Sequence, residues 1–306
     1  MTAASLPQTS GSRPVARMAG MLASVFKLRI GSEITLTMVA GVAVTPGTGL
    51  SAWQLAALAL AVLMSSASAG AFNQYIERDL DAAMTRTRNR PFVTGALRHG
   101  PHWLAIIGLL LVASVLLAGA ATNAAAATQV FLGAFTYGVI YTVWLKRRTW
   151  LNIVFGGLAG SFALLAGALA VNPDLAIEPA MLAIALFFWT PPHFWSLALY
   201  NRADYQATGV PMLPALLSPR ATAWVILAHT MVLVAVTLVP AFTGLGPVYA
   251  ACAVAGGAWF LYRSARLVAQ PTRTAALQSF RASLVQLSLL LVGAIIDGAI
   301  SGRLVT

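Results

Sequence analysis

Three polar side chains recur at four-residue intervals in one stretch of the chain. They are Asn73, Glu77 and Asp81, within Asn73-Gln-Tyr-Ile-Glu-Arg-Asp-Leu-Asp-Ala-Ala-Met-Thr-Arg-Thr-Arg-Asn-Arg-Pro91. A four-residue step advances a helix by only about 40°, so the three form one stripe, with Asp79 on the opposite side. No Gly or Pro interrupts residues 73–90, which predicts one continuous helix. Two carboxylates and a carboxamide stacked this way repel one another. A hard divalent cation relieves that, and Mg²⁺ takes oxygen ligands and is often shared with a phosphate. Arg86, Arg88 and Arg90 follow at once, and arginine suits bidentate phosphate recognition. The residue types describe a metal–diphosphate site. The competing reading is a solvated interfacial loop whose acids and bases pair with one another.

A second polar stretch has matching chemistry: Trp189-Thr-Pro-Pro-His-Phe-Trp-Ser-Leu-Ala-Leu-Tyr-Asn-Arg-Ala-Asp-Tyr-Gln-Ala-Thr-Gly-Val-Pro-Met-Leu-Pro214. Asn201 and Asp204 stand three apart and share a helix face, with Arg202 and Tyr205 beside them. Pro191 and Pro192 predict a kink, and His193 sits at it. His193 reads equally as a packing residue or as a functional one. Between the two stretches, Tyr141 and Lys146 are placed to reach a phosphate. Arg147 and Arg148 read as ordinary flanking charge. His99, His102 and His229 read as interfacial or packing residues.

The elements that must position these residues follow from composition. Of 306 residues, 59% are hydrophobic and 9% charged, with a mean hydropathy of +0.80. A soluble domain carries about 25% charged residues. The fold class expected is therefore all-α, a polytopic membrane bundle. Nine spans are predicted, over about 28–46, 52–74, 102–121, 124–145, 150–171, 179–199, 221–240, 246–265 and 281–301. This count puts 18 of the 19 Lys and Arg residues on one side, leaving only Arg303 on the other. That asymmetry predicts a cytoplasmic N-terminus, with both polar stretches at the cytoplasmic face of a cell inner membrane. Residues 1–24 read as a disordered cytoplasmic tail and 25–306 as the membrane domain. Asp174 and Glu178 read as solvated in an outer loop, Asp297 as a packing residue, and Glu33 as a partner for a base. The net charge of +11 is scattered in short clusters between apolar runs, which argues against nucleic acid. The single cysteine, Cys252, excludes an internal disulfide.

At these residues the chain resembles the UbiA-type intramembrane prenyltransferases. The Asn73…Glu77…Asp81 stripe is similar to that family's first polar motif, and the 201–204 region falls at its second. Within the family the chain resembles the protohaem farnesylating branch, through Glu77-Arg-Asp-Leu-Asp-Ala-Ala-Met, Arg86-Thr-Arg-Asn-Arg-Pro91, Pro192-His-Phe-Trp and Asp204-Tyr-Gln-Ala-Thr-Gly-Val-Pro-Met-Leu-Pro. Lys27-Leu-Arg29 resembles the family's Lys-Pro-Arg, with Leu28 in place of proline. Asn201 stands where quinone-type relatives carry an aspartate.

The resemblance implies transfer of farnesyl from farnesyl diphosphate to a vinyl group of haem b, with water, giving haem O and diphosphate. It implies Mg²⁺ held by Asn73, Glu77, Asp81 and Asp204, and a reacting set of those four with His193. Diphosphate contacts are expected from Lys27, Arg29, Arg86, Arg90, Tyr141, Lys146 and Arg202, supported by Asp79, Asn201 and Tyr205. The expected surroundings are the lipid bilayer and a haem A synthase-type partner. Two other readings remain: a relative prenylating a quinone or chlorophyll precursor, and a transporter. Transporters place polar groups near the midplane, whereas these cluster at one face.

Overall fold

The computed structural model describes residues 14–304. In chain order the elements are α1 (Pro14–Val25), α2 (Leu28–Val44), α3 (Ala52–Ile76), α4 (Arg78–Ala83), α5 (Pro91–Thr94), α6 (His102–Ala121) and α7 (Ala124–Phe135). A π-helix (Thr136–Leu145) continues α7. Then come α8 (Asn152–Gly156), α9 (Leu158–Val171), α10 (Ile177–Tyr200), α11 (Arg202–Thr208), α12 (Leu213–Leu216), α13 (Pro219–Thr243), α14 (Pro247–Ala269) and α15 (Arg273–Ile300).

The long helices begin where the sequence supplies caps. Ser51 and Gln54 form a reciprocal capping box on α3, with Gln54 N donating to Ser51 Oγ at 3.3 Å and Ser51 N to Gln54 Oε1 at 3.0 Å. Asn123, Ser218 and Thr272 cap α7, α13 and α15 through their side-chain oxygens. Leu109 and Leu116 of α6 are 70% and 67% exposed, a surface that suits lipid and not water.

Each expected span coincides with a long helical segment. Seven of these segments are long and apolar enough to cross a membrane; α2, with 17 residues, and α14 fall outside that set. The chain is an all-helical, multi-span membrane protein with seven clear candidate spans, and the count of nine is not confirmed.

The connections sort onto two ends. The segments around residues 77–90, 146–148, 201–204 and 272–273 touch one another at one end, through contacts such as Arg147 to Asp79 and Thr85 to Asp204. At the other end Leu50 N donates to Leu304 O, and Asp297 accepts from the Tyr249 amide at 2.7 Å. Asp297 is thus a packing and capping residue, as its position suggested.

Central packing depends on small residues. A Cβ on Gly41 would strike the Leu164 carbonyl, and one on Gly167 the Met38 carbonyl, so α2 and α9 cross backbone to backbone. Hydroxyls tie further pairs: Ser65 donates to Val130 O, Ser68 to Ile107 O and Ser161 to Ala183 O, at 2.7–2.9 Å.

Three expectations change. Residues 14–25 are helical, where a disordered tail was expected; Leu22 and Val25 pack with Phe92 and Trp103. Residues 1–13 lie outside the described part. The helix through residues 73–90 is not continuous. It breaks at Glu77 (φ −94°, ψ 17°), resumes as α4 and ends at Ala83, where the Thr87 hydroxyl folds back onto the Asp81 carbonyl at 3.0 Å. Arg90 is extended, as a residue before proline prefers. Glu178, expected to be solvated, is only 6% exposed and lies against Gly244; Asp174 is exposed.

The α2–α9 crossing makes a prediction. Gly167→Val destabilises the folded protein by about 1–3 kcal/mol or more through overpacking, read as a lower unfolding temperature in detergent. The same change at Gly108, whose Cβ would meet open space, has little effect.

Candidate active site

The break at Glu77 does not disperse the polar stripe. The Glu77 amide still donates to Asn73 O at 3.0 Å and the Asp81 amide to Glu77 O at 2.8 Å, so the four-residue register survives. Asn73, Glu77 and Asp81 are all buried, at 2%, 2% and 4% exposure. Burying two carboxylates requires countercharge. Each stripe residue has its own cation from a different part of the chain. Lys27 Nζ donates to Asn73 Oδ1 at 2.7 Å, Lys146 Nζ to Glu77 Oε2 at 2.5 Å, and Arg90 Nη1 to Asp81 Oδ2 at 2.6 Å. Asp79 points away, as its spacing required. It forms a bidentate pair with Arg147 at 2.8 and 2.9 Å, which holds its carboxyl below the usual range.

Two backbone irregularities deliver these cations. Lys27 adopts φ 48°, ψ 42°, the left-handed region that a non-glycine residue rarely occupies. That turn lays its stem along α3, where a Cβ on Gly70 would meet Lys27 carbons at 3.2–3.3 Å. Lys27 also donates to the Tyr137 hydroxyl at 3.0 Å. Burial, then the nearby Arg90 cation, lowers its pKa to about 7. An arriving polyanion would favour its charged form. The second irregularity is the π-helix. Lys146 N bonds to Tyr141 O, five residues back, at 2.9 Å. Within it Tyr137 and Tyr141 stack with centroids 5.4 Å apart, and the Thr142 hydroxyl accepts from Asn73 Nδ2 at 3.0 Å.

The stripe and its cations open on a cavity of about 600 Å³. Lys27, Arg29, Arg86, Arg90, Tyr141, Lys146, His193 and Tyr205 all line it with Asn73, Glu77 and Asp81, and Glu33 also reaches its wall. Burial pushes the Tyr205 phenol up, against the pull of Arg86. One wall, from α3, α7 and α9, is mainly small and aliphatic, with Val62, Ala69, Val130, Ala134 and Ala163 beside Ser65, Ser66 and Gln129. Another part of the lining, from α10 and α15, carries His193, Phe194, Leu197, Phe280 and Leu284.

Asp204, Asn201 and Arg202 do not join this set. With Thr85, Arg86 and Arg273 they line a neighbouring cavity of about 570 Å³. Asp204 accepts from the Thr85 hydroxyl at 3.2 Å, and Asn201 Nδ2 donates to Leu197 O at 3.0 Å. Arg202, expected on the diphosphate, instead ties a loop by donating to Pro214 O at 2.8 Å and Leu217 O at 3.1 Å. Arg86 lines both cavities. At Pro191–Pro192 the segment stays helical; the two missing amides leave the Phe187 and Phe188 carbonyls without their usual donors.

The chemistry of the stripe fits a divalent cation. Glu77 Oε1 is fully buried and has no hydrogen-bond partner among the described residues. An orphaned carboxylate oxygen between Asn73 and Asp81 is a ligand atom in waiting. The described residues contain no cluster of three His, Cys, Asp or Glu, so the rest of a metal's shell must be carboxamide, substrate or water. Sequence reasoning missed Tyr137, Thr142 and Gly70. A tyrosine four residues before Tyr141 was a readable signal; the π register was not.

The Lys27 placement is testable. Gly70→Val displaces the Lys27 stem and weakens inorganic pyrophosphate binding by about tenfold or more in calorimetry, while Gly108→Val leaves the affinity unchanged.

Comparison with known proteins agrees with this geometry. Residues 34–290 match the model of the UbiA prenyltransferase family. The chain is 55% identical over 282 residues to protoheme IX farnesyltransferase 2 of Paramagnetospirillum magneticum (strain ATCC 700264 / AMB-1), covering 92% of this chain and 98% of the relative. It is 44% identical to protoheme IX farnesyltransferase 1 of the same organism over 274 residues, covering 89% and 96%. Among solved structures, a digeranylgeranylglyceryl phosphate synthase superposes with a TM-score of 0.76 at 13% identity, covering 92% of this chain and 99% of that one. A UbiA homolog from Archaeoglobus fulgidus, bound to DMAPP and Mg²⁺, superposes at 0.67 with 15% identity, covering 88% and 99%. The structural matches establish the fold; the family match and the close relatives establish the lineage, and the chain belongs to the UbiA prenyltransferase family.

Proposed function

We propose that this protein transfers the farnesyl group of farnesyl diphosphate to a vinyl group of protohaem IX, with addition of water, giving haem O and diphosphate. The observation that carries the reading is the buried stripe with its three separate cations, opening on a cavity with one aliphatic and one aromatic side. Relatives named for this activity, at up to 55% identity over most of the chain, supply the acceptor. A quinone-type acceptor has no comparable support.

The residues divide the work as follows. Asn73, Glu77 through Oε1, and Asp81 would hold Mg²⁺, while Asp204 stays in the adjacent cavity, outside this ligand set. Bound there, Mg²⁺ supplies the positive charge that makes diphosphate a good leaving group. Lys27, Lys146 and Arg90 would leave the stripe for the phosphate oxygens, joined by Arg86 and Arg29 from the mouth. Tyr137 and Tyr141 stand beside Lys27 and Lys146, with the ammonium groups 5.3 and 5.6 Å from their ring centroids. The small-residue wall accommodates the prenyl chain and excludes water while the allylic C–O bond ionises. The terminal vinyl carbon forms the new C–C bond. One water then adds to the neighbouring carbon and loses a proton. Arg202, Asn201 and Asp79 keep supporting roles in the loops around the mouth.

We place the cavity end of the bundle, where the basic residues gather, at the cytoplasmic face of the cell inner membrane. The product would pass to a haem A synthase-type partner.

Membranes containing the protein, given haem b, farnesyl diphosphate and Mg²⁺, should yield a haem heavier by one farnesyl group plus water on chromatography with mass detection. No modified haem from folded protein would refute the reading. Glu77→Gln and Asp81→Asn should each lower kcat at least about 100-fold. Arg202→Lys should change it by less than about tenfold, since its contacts are to loop carbonyls.

A further inference from the structure

His193 lies in the membrane-spanning part of α10, beside the cavity, and the stripe chemistry does not use it. Its ring is locked on three sides. Trp189 stacks on it at 4.1 Å and 20°, Phe280 packs at 4.7 Å, and Phe194 meets it edge-on at 5.0 Å. The Trp189 indole is itself fixed by a 2.9 Å bond to Ser283 O. The ring's Nδ1 lies 2.7 Å from Ser283 Oγ.

The proton on that bond can be assigned. A serine hydroxyl has one hydrogen to give. Ser283 gives it to the Phe280 carbonyl at 2.6 Å. Its oxygen therefore accepts from His193, and Nδ1 carries the ring proton. Nε2 is left as a bare lone pair, with no hydrogen-bond partner among the described residues. No carboxylate contacts the ring among the described residues, so the surroundings favour a neutral imidazole that offers a lone pair. A histidine that donates from one nitrogen to a fixed acceptor while its other nitrogen stays free is the usual arrangement of a metal-ligating histidine. In this cavity the ligand-seeking metal would be the iron of the haem substrate, for which histidine is a common axial ligand.

We infer that Ser283 is a positioning residue that holds His193 in its Nδ1-protonated tautomer, so that His193 Nε2 binds the iron of the incoming haem. The assignment rests on haem being the acceptor. Axial ligation fixes the porphyrin's height and leaves rotation about the iron–nitrogen axis to bring a vinyl group toward the aliphatic wall. No bond is made or broken in the porphyrin by this step, and the iron keeps its oxidation state.

The test is a titration of ferrous haem b into the purified full-length protein, followed by absorption and resonance Raman spectroscopy. The wild type should show saturable binding and an iron–histidine stretching band. His193→Gly should lose that band and regain an imidazole-ligated spectrum when imidazole is added. Ser283→Ala should keep the band at lower frequency and bind haem about tenfold more weakly, because the ring loses its acceptor. Ser283→Thr should restore both. Unchanged farnesyl diphosphate binding serves as the folding control for each variant. Saturable haem binding with the same spectrum in His193→Gly as in the wild type would overturn the ligation while leaving haem as substrate. No saturable haem binding by wild type that still binds farnesyl diphosphate would overturn the substrate reading, and the ligation with it.

Discussion

Two carboxylates are buried one turn apart, and the rest of the site follows from how their charge is balanced. Removing one partner of a buried ion pair costs about 3–5 kcal/mol, whereas an exposed pair contributes about 0–1. By that measure Lys146–Glu77 and Arg90–Asp81 dominate the local energetics, and the exposed Arg147–Asp79 pair is secondary. The countercharges come from three places far apart in sequence: the α1–α2 junction, the end of the π-helix and the turn after α4. Assembling the stripe therefore requires α2, α3 and the π-helix to pack together. It also produces a site in which Lys146 and Arg90 already hold anions that a substrate's can replace, while Lys27 rests on a carboxamide and a phenol.

The backbone departs from regular geometry where it has to deliver those cations. A regular α-helix through residues 136–145 would rotate Lys146 away from its present register, and the π turn returns it to Glu77. Lys27 reaches Asn73 only from the left-handed region, with Gly70 leaving room for its stem. Such costs of order 1–3 kcal/mol persist where surrounding structure over-determines them. Here the surroundings are the backbone-close crossings of α2 with α9 and the aromatic cluster beneath α1.

Much of this was legible in the sequence, for physical reasons. The Asn73–Glu77–Asp81 stripe follows from helical periodicity alone, and the break at Glu77 left it intact because the four-residue hydrogen bonds survive. Span positions followed from long apolar runs, but seven clear spans is what length and composition support, since α2 is short and α14 less apolar. The reach of Lys146 was expected. Its partner was not, because pairing across 69 residues depends on a π register that no local residue pattern marks. Asp204 looked equivalent to the first stripe but lies in a neighbouring cavity. Arg202 looked like a phosphate ligand, yet its guanidinium serves two loop carbonyls. A cation's sequence neighbours do not say which acceptor will be nearest after folding. The Ser283–His193 bond joins helices 90 residues apart and has no sequence signature at all.

In the proposed reaction the cations on the stripe and a divalent ion compete for the same carboxylates until a diphosphate draws the cations away. Mg²⁺ affinity, measured by calorimetry with and without inorganic pyrophosphate, tests it most directly. Weak Mg²⁺ binding to the protein alone is expected, and at least about tenfold tighter binding with pyrophosphate present, with the reciprocal effect of Mg²⁺ on pyrophosphate. Equal Mg²⁺ affinity in the two conditions, after correction for Mg²⁺–pyrophosphate association in solution, would contradict it.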